Sequence, residues 1–255
     1  MCKDLFLSII IPAYNEESVI GSTLDKIVSF LRTKPYKSEI IVVNDGSKDH
    51  TYQEVKKYQL KYSSADFDNI HIRLINNSKN MNKGKAVKQG VLNCNGKYLA
   101  ILDADYAYPI KQIDTFLDAL QSKWDLAIGN RTSPETSFLV RPSAFSYIYS
   151  RYLLSRTFNF IVRKVIIKDI RDTQCGIKCF RREVAKDIFR KVSISDFSYD
   201  VEVLFIAQRY GKKIIQLPVI YNYIDEPSKV RLFRDAIKML ISISRIRVKG
   251  WLNKY

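Results

Sequence analysis

The sequence has few cysteines and histidines, and this scarcity argues against two kinds of site. Its four cysteines are too few and too unevenly placed in 255 residues for a disulfide framework. Two of them, Cys175 and Cys179, are separated by three residues, but there is no second such pair and only two histidines, so a zinc site is not expected. We therefore expect buried thiols and a reducing compartment. The other cysteines are Cys2 and Cys94, and the histidines are His50 and His71.

Long apolar runs and glycine-rich phosphate loops are also missing. No stretch has the ~18 uncharged apolar residues that a membrane-spanning helix needs, and Asp4 interrupts any secretory signal early. The patterns G-x-x-x-x-G-K-[ST] and G-x-G-x-x-G are absent, so kinase-like and dinucleotide-binding functions lose their main support. We expect a chain that does not cross a membrane but can lie on one.

Acidic residues are outnumbered by basic ones. The chain has 26 Asp and Glu against 42 Lys and Arg, a formal charge of +16. This excess favours anionic partners: nucleotides, nucleic acid, phosphorylated lipids or an acidic membrane surface. Charge alone does not choose among them. With 46% hydrophobic and 12% aromatic residues, the chain has ample material for a packed core.

Short apolar runs alternate with segments of helical periodicity. This alternation predicts an α/β fold with a mostly parallel sheet, flanked by helices and joined by right-handed crossovers. The predicted strands are 5–11, 39–43, 70–75, the start of 97–109, 125–129, 214–217 and 219–223. The predicted helices are 19–31, 51–62, 83–91, 110–120, 183–189 and 200–208, and residues 138–170 are helical in character with aromatic and basic residues interleaved.

The stretch KYLAILDADYAYP at 97–109 ends its apolar run in Asp103 and Asp105. Ligands of open α/β sheets bind beyond the carboxyl ends of the strands, and alternation puts residues i and i+2 on one side. Two carboxylates there call for a cation, and Mg²⁺ typically takes one or two carboxylates and completes its shell with water and phosphates. The alternative is a helix cap and an exposed turn residue, because an isolated D-x-D is a weak signal.

Polar clusters also follow two other predicted strands, at 12–17 and 44–49. The carboxyl ends of parallel strands lie on one edge of a sheet, so the three clusters are expected to converge. An acidic pocket in a protein of net charge +16 suits a metal-bound nucleotide, with Asp45 contacting the base and the two aspartates holding the metal.

The last segment, 229–255, carries eight basic residues and one acidic residue, with apolar residues at near-helical spacing. It predicts a basic amphipathic helix. Such a helix either binds an anionic membrane surface or docks its apolar stripe on the core, and the pattern favours neither.

Four motifs in order, IIIPAYNEE, IIVVNDGSKDHT, NKGKAVKQG and DADYAYP, resemble the family 2 inverting glycosyltransferases of GT-A fold. GNR at 129–131, DTQCGIKCF at 172–180 and FSYDVEVLFIAQRYG at 197–211 resemble the dolichyl-phosphate β-glucosyltransferases in particular. The polyprenyl-phosphate mannosyltransferases are less similar. The resemblance covers about residues 5–252, and DTQCG is far more specific than D-x-D.

The resemblance implies a single GT-A domain over 1–228, with a nucleotide-sugar half at 1–130 and an acceptor half at 131–228, followed by the basic helix at 229–255. It implies metal-dependent transfer of glucose from UDP-glucose to dolichyl or polyprenyl phosphate, with inversion, at the cytosolic face of a membrane. Within the family, GDP-mannose or another acceptor is the alternative. A non-catalytic membrane- or nucleic-acid-binding protein is the alternative of another class, although no nucleic-acid module is recognisable.

The resemblance also assigns roles to residues on the donor side. Asp103 and Asp105 would bind Mg²⁺ or Mn²⁺ on the diphosphate, and Gln174 and Gly176 would lie near the sugar. Ser228 and Lys229 resemble a loop that closes over the diphosphate. The residues that would hold the uridine are Pro12, Tyr14, Glu16, Asp45 and Lys85.

On the acceptor side, Arg131 would meet the acceptor phosphate together with Arg151 or Arg156, because arginine's forked donors suit phosphate. Asp200 stands where relatives keep a catalytic base. A phosphate with a second pKa near ~6 is largely deprotonated at neutral pH, so Asp200 could instead orient an arginine or a sugar hydroxyl.

The chain departs from the family pattern at two points. Related glucosyltransferases usually bear an N-terminal membrane anchor, whereas this sequence starts at its first strand, so we expect membrane contact through the cationic helices or a partner. Some mannosyl relatives also supply a third metal ligand two residues after the second aspartate. That position is Ala107 here, which leaves the remaining coordination to water and phosphates.

Overall fold

The computed structural model describes residues 5–139, 162, 164–222 and 232–255. The strands are β1 (Leu5–Ala13), β2 (Lys37–Asn44), β3 (Ile70–Asn76), β4 (Tyr98–Ile101), β5 (Leu126–Gly129), β6 (Ser137–Leu139), β7 (Lys178–Arg181), β8 (Ile214–Leu217) and β9 (Ile220–Asn222). The α-helices are α1 (Ile20–Leu31), α2 (Thr51–Lys61), α3 (Lys83–Leu92), α4 (Ile113–Gln121), α5 (Arg182–Lys191), α6 (Tyr199–Arg209) and α7 (Leu232–Trp251). Short 3₁₀ turns lie at Ala65–Phe67 and Ile110–Gln112.

Seven strands form the central sheet, in the order β3-β2-β1-β4-β7-β5-β8. The neighbouring pairs are parallel except at β7, which runs antiparallel to both β4 and β5. The prediction of a mostly parallel sheet is therefore confirmed. Because β7 and β8 follow residue 131 and pair with β4 and β5, both proposed halves contribute to one sheet, while the domain boundaries at 130 and 228 stay a prediction.

Both faces of the sheet are covered by helices. Alternate residues of β1 illustrate this, because Ile9 and Ile11 pack on one side with Leu24 of α1, whereas Ile10 packs on the other side with Val87 of α3. All of these side chains are inaccessible to solvent. Burial on both faces explains why β1 and β2 appear in the sequence as nearly continuous aliphatic runs.

The structure corrects two expectations. β4 ends at Ile101, so Asp103 and Asp105 lie in the turn beyond it, and the alternation of a strand does not set their direction. The helical character predicted from residue 138 is wrong at its start: Ser137–Leu139 forms a strand that pairs with β9, because the Ser137 N–H donates to Val219 O at 3.0 Å and the pairing continues from there. Most of the remaining 138–170 stretch lies outside the described residues.

Within the predicted 229–255 segment, the described residues form α7, which ends at Trp251. Ile243 and Ile246 are buried, and Gly250 packs against the Phe205 ring of α6, so this side of the helix docks on the core. Trp251 and Val248 are exposed. Among the described residues, no helix combines the length and apolar character needed to span a bilayer.

Candidate active site

Three polar strand ends meet at one edge of the sheet, as predicted, because β2, β1 and β4 are neighbours and parallel. The loops after β1 and β2 are joined by hydrogen bonds: the Asn15 N–H donates to Ser47 Oγ at 2.9 Å, and the Lys48 N–H donates to Asn15 Oδ1 at 2.8 Å. The Glu16 N–H donates to Thr51 Oγ1 at 2.8 Å. These bonds hold the loops after β1 and β2 in a fixed position relative to each other.

Lys83 is the nearest described cation to the first aspartate of the D-x-D motif. Its Nζ atom lies 2.6 Å from Asp103 Oδ1. Burial disfavours the ammonium ion, but the negative charges of Asp103 and Asp200 outweigh burial and raise the pKa of Lys83. A lysine whose charged form is favoured is therefore held against Asp103, beyond the carboxyl end of β4.

The family resemblance implied a uridine-binding role for Lys85, whereas Lys83 of the same K-G-K motif is the residue that contacts Asp103. Lys83 is the first residue of α3 and follows Asn82, whose φ of 73° turns the chain into the helix. Residues two apart on a helix do not share a face, so Lys85 points away, is exposed, and borders a cavity of about 470 Å³ with Lys79 and Met81. The predicted start of the helix at Lys83 was the sequence feature that could have indicated this residue.

Asp105 lies in the turn after Asp103. The backbone N–H of Ala107 donates to Asp105 Oδ1 at 3.0 Å, and the Thr23 hydroxyl of α1 donates to Ala104 O at 2.7 Å, which fixes the turn. Burial, together with the neighbouring charge of Asp103, raises the pKa of Asp105. A cation at this position would relieve the repulsion between the two carboxylates.

The residues around this turn fit a hard divalent cation bound with few protein ligands. In the described part of the chain, no group of three or more His, Cys, Asp or Glu side chains is placed to share a metal ion. Asp103 and Asp105 alone match the one or two carboxylates of a typical Mg²⁺ site that is completed by water and substrate phosphates.

Gly176 closes the other side of Asp103. A Cβ atom at this position would overlap Asp103 Oδ2 and approach the Tyr108 ring at 2.9 Å. The Gly176 N–H also donates to Tyr108 Oη at 3.3 Å. Glycine is required here because the backbone of the DTQCG motif approaches the carboxylate closely. Gln174, predicted near the sugar, anchors the same motif through its N–H, which donates to Asp172 Oδ1 at 3.2 Å.

Arg131 is paired with Asp172 of the DTQCG motif. Nε of Arg131 donates to Asp172 Oδ2 at 2.7 Å, one terminal nitrogen donates to Oδ1 at 2.9 Å, and the Arg131 N–H donates to Oδ2 at 3.0 Å. Burial would raise the pKa of Asp172, but the guanidinium outweighs burial and holds this pKa below its usual range. Arg131 was among the predicted site residues but its partner was not, because pairing across 41 residues leaves no local pattern in the sequence.

Asp200 is buried at the start of α6. Its Oδ1 lies 2.7 Å from Nζ of the buried Lys178, so the two side chains form an ion pair. Within the described residues, this Oδ1 accepts no hydrogen bond of good geometry. Lys178 also donates to Cys175 O at 2.5 Å. The charge of Asp200 thus acts on Lys83, and Asp200 is itself paired with Lys178, a second lysine that was not among the predicted site residues.

Four of the five residues predicted to hold uridine lie around the first two strand ends, and the fifth, Lys85, lies on α3. Pro12 pairs with Val43 within the sheet, and Tyr14 and Glu16 follow it, partly buried. Asp45 is buried, and its oxygens accept hydrogen bonds from the Met81 N–H at 3.0 and 3.1 Å. In this structure Asp45 therefore fastens the loop before α3. The predicted residues Ser228, Lys229, Arg151 and Arg156 lie outside the described residues.

Comparison with known proteins identifies the family. The family described as glycosyl transferase family 2 matches residues 8–189. The chain belongs to glycosyl transferase family 2. It is 38% identical to the dolichyl-phosphate β-glucosyltransferase of Dictyostelium discoideum, over 96% of this chain and 75% of that protein. It is 35% identical to the enzyme of the same name from Saccharomyces cerevisiae, over 99% of this chain and 77% of that protein.

Solved structures of similar fold support the GT-A architecture for this family 2 member. Mannosyl-3-phosphoglycerate synthase from Rubrobacter xylanophilus aligns with a TM-score of 0.68 at 14% identity, over 98% of this chain and 76% of that one. Glucosyl-3-phosphoglycerate synthase from Mycobacterium tuberculosis in complex with UDP aligns with a TM-score of 0.60 at 17% identity, over 94% of this chain and 80% of that one. Another structure of that synthase contains Mn²⁺ and UDP. The predicted fold class is confirmed.

Proposed function

We propose that this family 2 glycosyltransferase transfers glucose from UDP-glucose to dolichyl phosphate or a related polyprenyl phosphate, with inversion. The observation that carries the proposal is the Asp103–Lys83 pair at the meeting point of three strand ends, with Asp105 and Gly176 beside it. The curated relatives at 35–38% identity carry the name dolichyl-phosphate β-glucosyltransferase, which supports this donor sugar and acceptor.

Asp103 and Asp105 would hold Mg²⁺ or Mn²⁺ on the donor diphosphate. When bound, the ion offsets the charge that develops on the departing nucleotide. Lys83 would contribute a second positive charge to the same diphosphate, because its ammonium already lies against Asp103. Pro12, Tyr14, Glu16 and Asp45 would surround the uridine.

The acceptor phosphate would bind near Arg131, whose guanidinium is held in a fixed orientation by Asp172. A dolichyl phosphate that is already ionised attacks the anomeric carbon directly, and this reaction needs no strong base. Asp200 would then orient the site through Lys178 rather than remove a proton. Gln174 and Gly176 would lie near the transferred sugar.

The enzyme would work at the cytosolic face of a membrane as a peripheral protein. The exposed part of α7 carries Val248 and Trp251, and the exposed Leu252 follows the helix directly. The Arg247 guanidinium lies 5.3 Å from the centre of the Trp251 ring. Aromatic and cationic side chains together suit an interface of anionic lipids. The buried side of α7 docks on the core. Membrane binding would then involve the exposed side of the helix, so both alternatives for this segment would hold, each for one side.

A radiolabel transfer assay tests the proposed function. The protein is incubated with a short-chain polyprenyl phosphate and Mg²⁺, and with labelled UDP-glucose or GDP-mannose in parallel. Lipid-extractable label from UDP-glucose alone is the expected result. Label from GDP-mannose alone would keep the reaction class and overturn the sugar, and no label from either donor would overturn the proposed acceptor.

A further inference from the structure

Glu202 is a fully buried carboxylate on α6, two residues beyond Asp200. It accepts hydrogen bonds from the backbone N–H of Ser193 at 2.8 Å and of Ile194 at 2.7 Å, and from Ser193 Oγ at 2.7 Å. Its fourth donor is Tyr255 Oη at 2.9 Å. A buried carboxylate is costly unless its oxygens are bonded, and here three donors come from one loop and one from the C-terminal segment.

The loop that Glu202 holds, residues 192–195, contacts the first turn of α3. Ser195 O accepts a hydrogen bond from the Gly84 N–H at 2.7 Å. A Cβ atom on Gly84 would lie 2.8 Å from Ile194 O and 2.7 Å from Tyr199 Cβ, so the loop and α6 press against this turn without spare room. Because Gly84 directly follows Lys83, a shift of the loop would move the lysine that contacts Asp103.

The C-terminal segment also contacts this loop and the residue that follows it. Lys249 Nζ donates to Ser193 Oγ in the loop, and Ser242 Oγ donates to Oδ2 of Asp196, directly after the loop, at 3.1 Å. The Tyr255 ring lies 5.7 Å from that of Phe205 on α6, edge to face. A cavity of about 300 Å³ between the loop and α7 leaves room for the loop to move if these bonds are lost.

We propose that Glu202 is a positioning residue for the donor site: it ties the 192–195 loop to Tyr255 so that Gly84, and with it Lys83, stays against Asp103. The contacts run from Tyr255 through Glu202, Ser193 and Ser195 to Gly84. The proposal gives the C-terminal segment an effect on nucleotide-sugar binding without any contact with the ligand. Its kinetic part rests on the proposed function, whereas its structural part does not.

Amide hydrogen exchange tests the structural part. Tyr255→Phe removes one hydroxyl and keeps the ring, and Tyr210→Phe is the matched control because Tyr210 lies exposed at the other end of α6. Loss of one hydrogen bond is expected to speed exchange of the peptide spanning 79–90 about fivefold in Tyr255→Phe and to leave it unchanged in the control. Faster exchange confined to peptides from 193–205 and the C-terminus would overturn the proposal.

Steady-state kinetics test the functional part on the same two variants. In Tyr255→Phe, we expect KM for UDP-glucose to rise about fivefold with kcat and KM for the lipid phosphate unchanged. A merely structural role would instead lower Tm and the active fraction, and therefore kcat, at constant donor KM. If the wild-type protein transfers no sugar, the proposed function fails and the exchange experiment still decides the positioning role. Glu202→Gln should repeat both effects more strongly.

Discussion

Lys83 Nζ lies 2.6 Å from Asp103 Oδ1, so a lysine occupies the side of the D-x-D motif that a cation and a diphosphate are expected to share. The ammonium is charged because the surrounding carboxylates raise its pKa despite its burial. Lys83 offsets the charge of Asp103, whereas Asp105 still faces that carboxylate. Donor binding would exchange the carboxylate–lysine contact for phosphate contacts.

Lys83→Met should lower kcat/KM for UDP-glucose on the order of a hundredfold, because it removes a fixed positive charge from the donor diphosphate. Lys85→Met, in the same motif but exposed, is the matched control and should stay within about threefold of wild type. Initial rates over a range of UDP-glucose concentrations, at saturating acceptor, measure both. A larger loss in Lys85→Met than in Lys83→Met would return the donor-binding role to the lysine that the sequence analysis selected.

Gly176→Ala should raise the concentration of Mg²⁺ needed for half-maximal activity. The added Cβ overlaps Asp103 Oδ2 and forces the carboxylate, or the DTQCG backbone, to move. We expect a shift of about tenfold, typical of the loss of a positioning contact around a metal, with activity partly restored by excess metal. An unchanged dependence of activity on Mg²⁺ concentration would contradict a role for Gly176 in positioning Asp103 at the metal site.

Asp172→Asn should destabilise the fold by about 3–5 kcal/mol, because it leaves Arg131 without the carboxylate that neutralises it. Asp187→Asn is the control: its pair with Arg190 is exposed, so its loss should cost below about 1 kcal/mol. Urea unfolding measures both. Equal effects of the two substitutions would contradict a buried role for Asp172.

The same pair predicts how stability depends on pH. The pKa of Asp172 is lower in the folded state than in the unfolded chain, so its contribution is fully present above the unfolded value of ~3.9 and is lost as pH falls through the folded value. Comparison of wild type with Asp172→Asn should show the difference in unfolding free energy constant near neutral pH and shrinking in acid. A difference in unfolding free energy that grows as the pH falls would contradict this prediction.

Arg247→Gln should weaken binding to anionic vesicles about fivefold, since each basic side chain near such a surface contributes about 1 kcal/mol. Trp251→Ser should weaken binding to both anionic and neutral vesicles, because its exposed ring contributes apolar contact. Leu60→Ser on α2 is the matched control, an equally exposed apolar residue on another helix. Vesicle flotation measures all three. Unaltered flotation of the α7 variants would contradict the proposal that this helix contacts the membrane surface.

The fold and the position of the site were accessible from sequence because both depend on local patterns. Strands buried on both faces, such as β1, leave aliphatic runs, and the polar loops after them mark the ligand-binding edge. The limit of β4 at Ile101 was not accessible, because the apolar and turn residues that follow it continue the same pattern.

Contacts between distant side chains could not be predicted in this way. Asp172 of the DTQCG motif binds Arg131 across 41 residues, and Lys178 of β7 pairs with Asp200 of α6. Neither pair leaves a periodic trace in the sequence. The contact between Lys83 and Asp103 was not evident for a related reason. The predicted helix 83–91 already began at Lys83, but the sequence did not show which of its side chains faces Asp103.

The most direct test of the account is glucose transfer by wild type and Asp105→Asn side by side, with UDP-glucose, polyprenyl phosphate and Mg²⁺, and with thermal unfolding as a check of folding. Asparagine retains the oxygen that accepts the Ala107 N–H, so the turn should persist while the charge is lost. We predict lipid-linked glucose from the wild type, none after chelation of Mg²⁺, and none from the folded variant. Undiminished transfer by Asp105→Asn would contradict the assignment of the D-x-D turn as the metal-binding centre of the reaction.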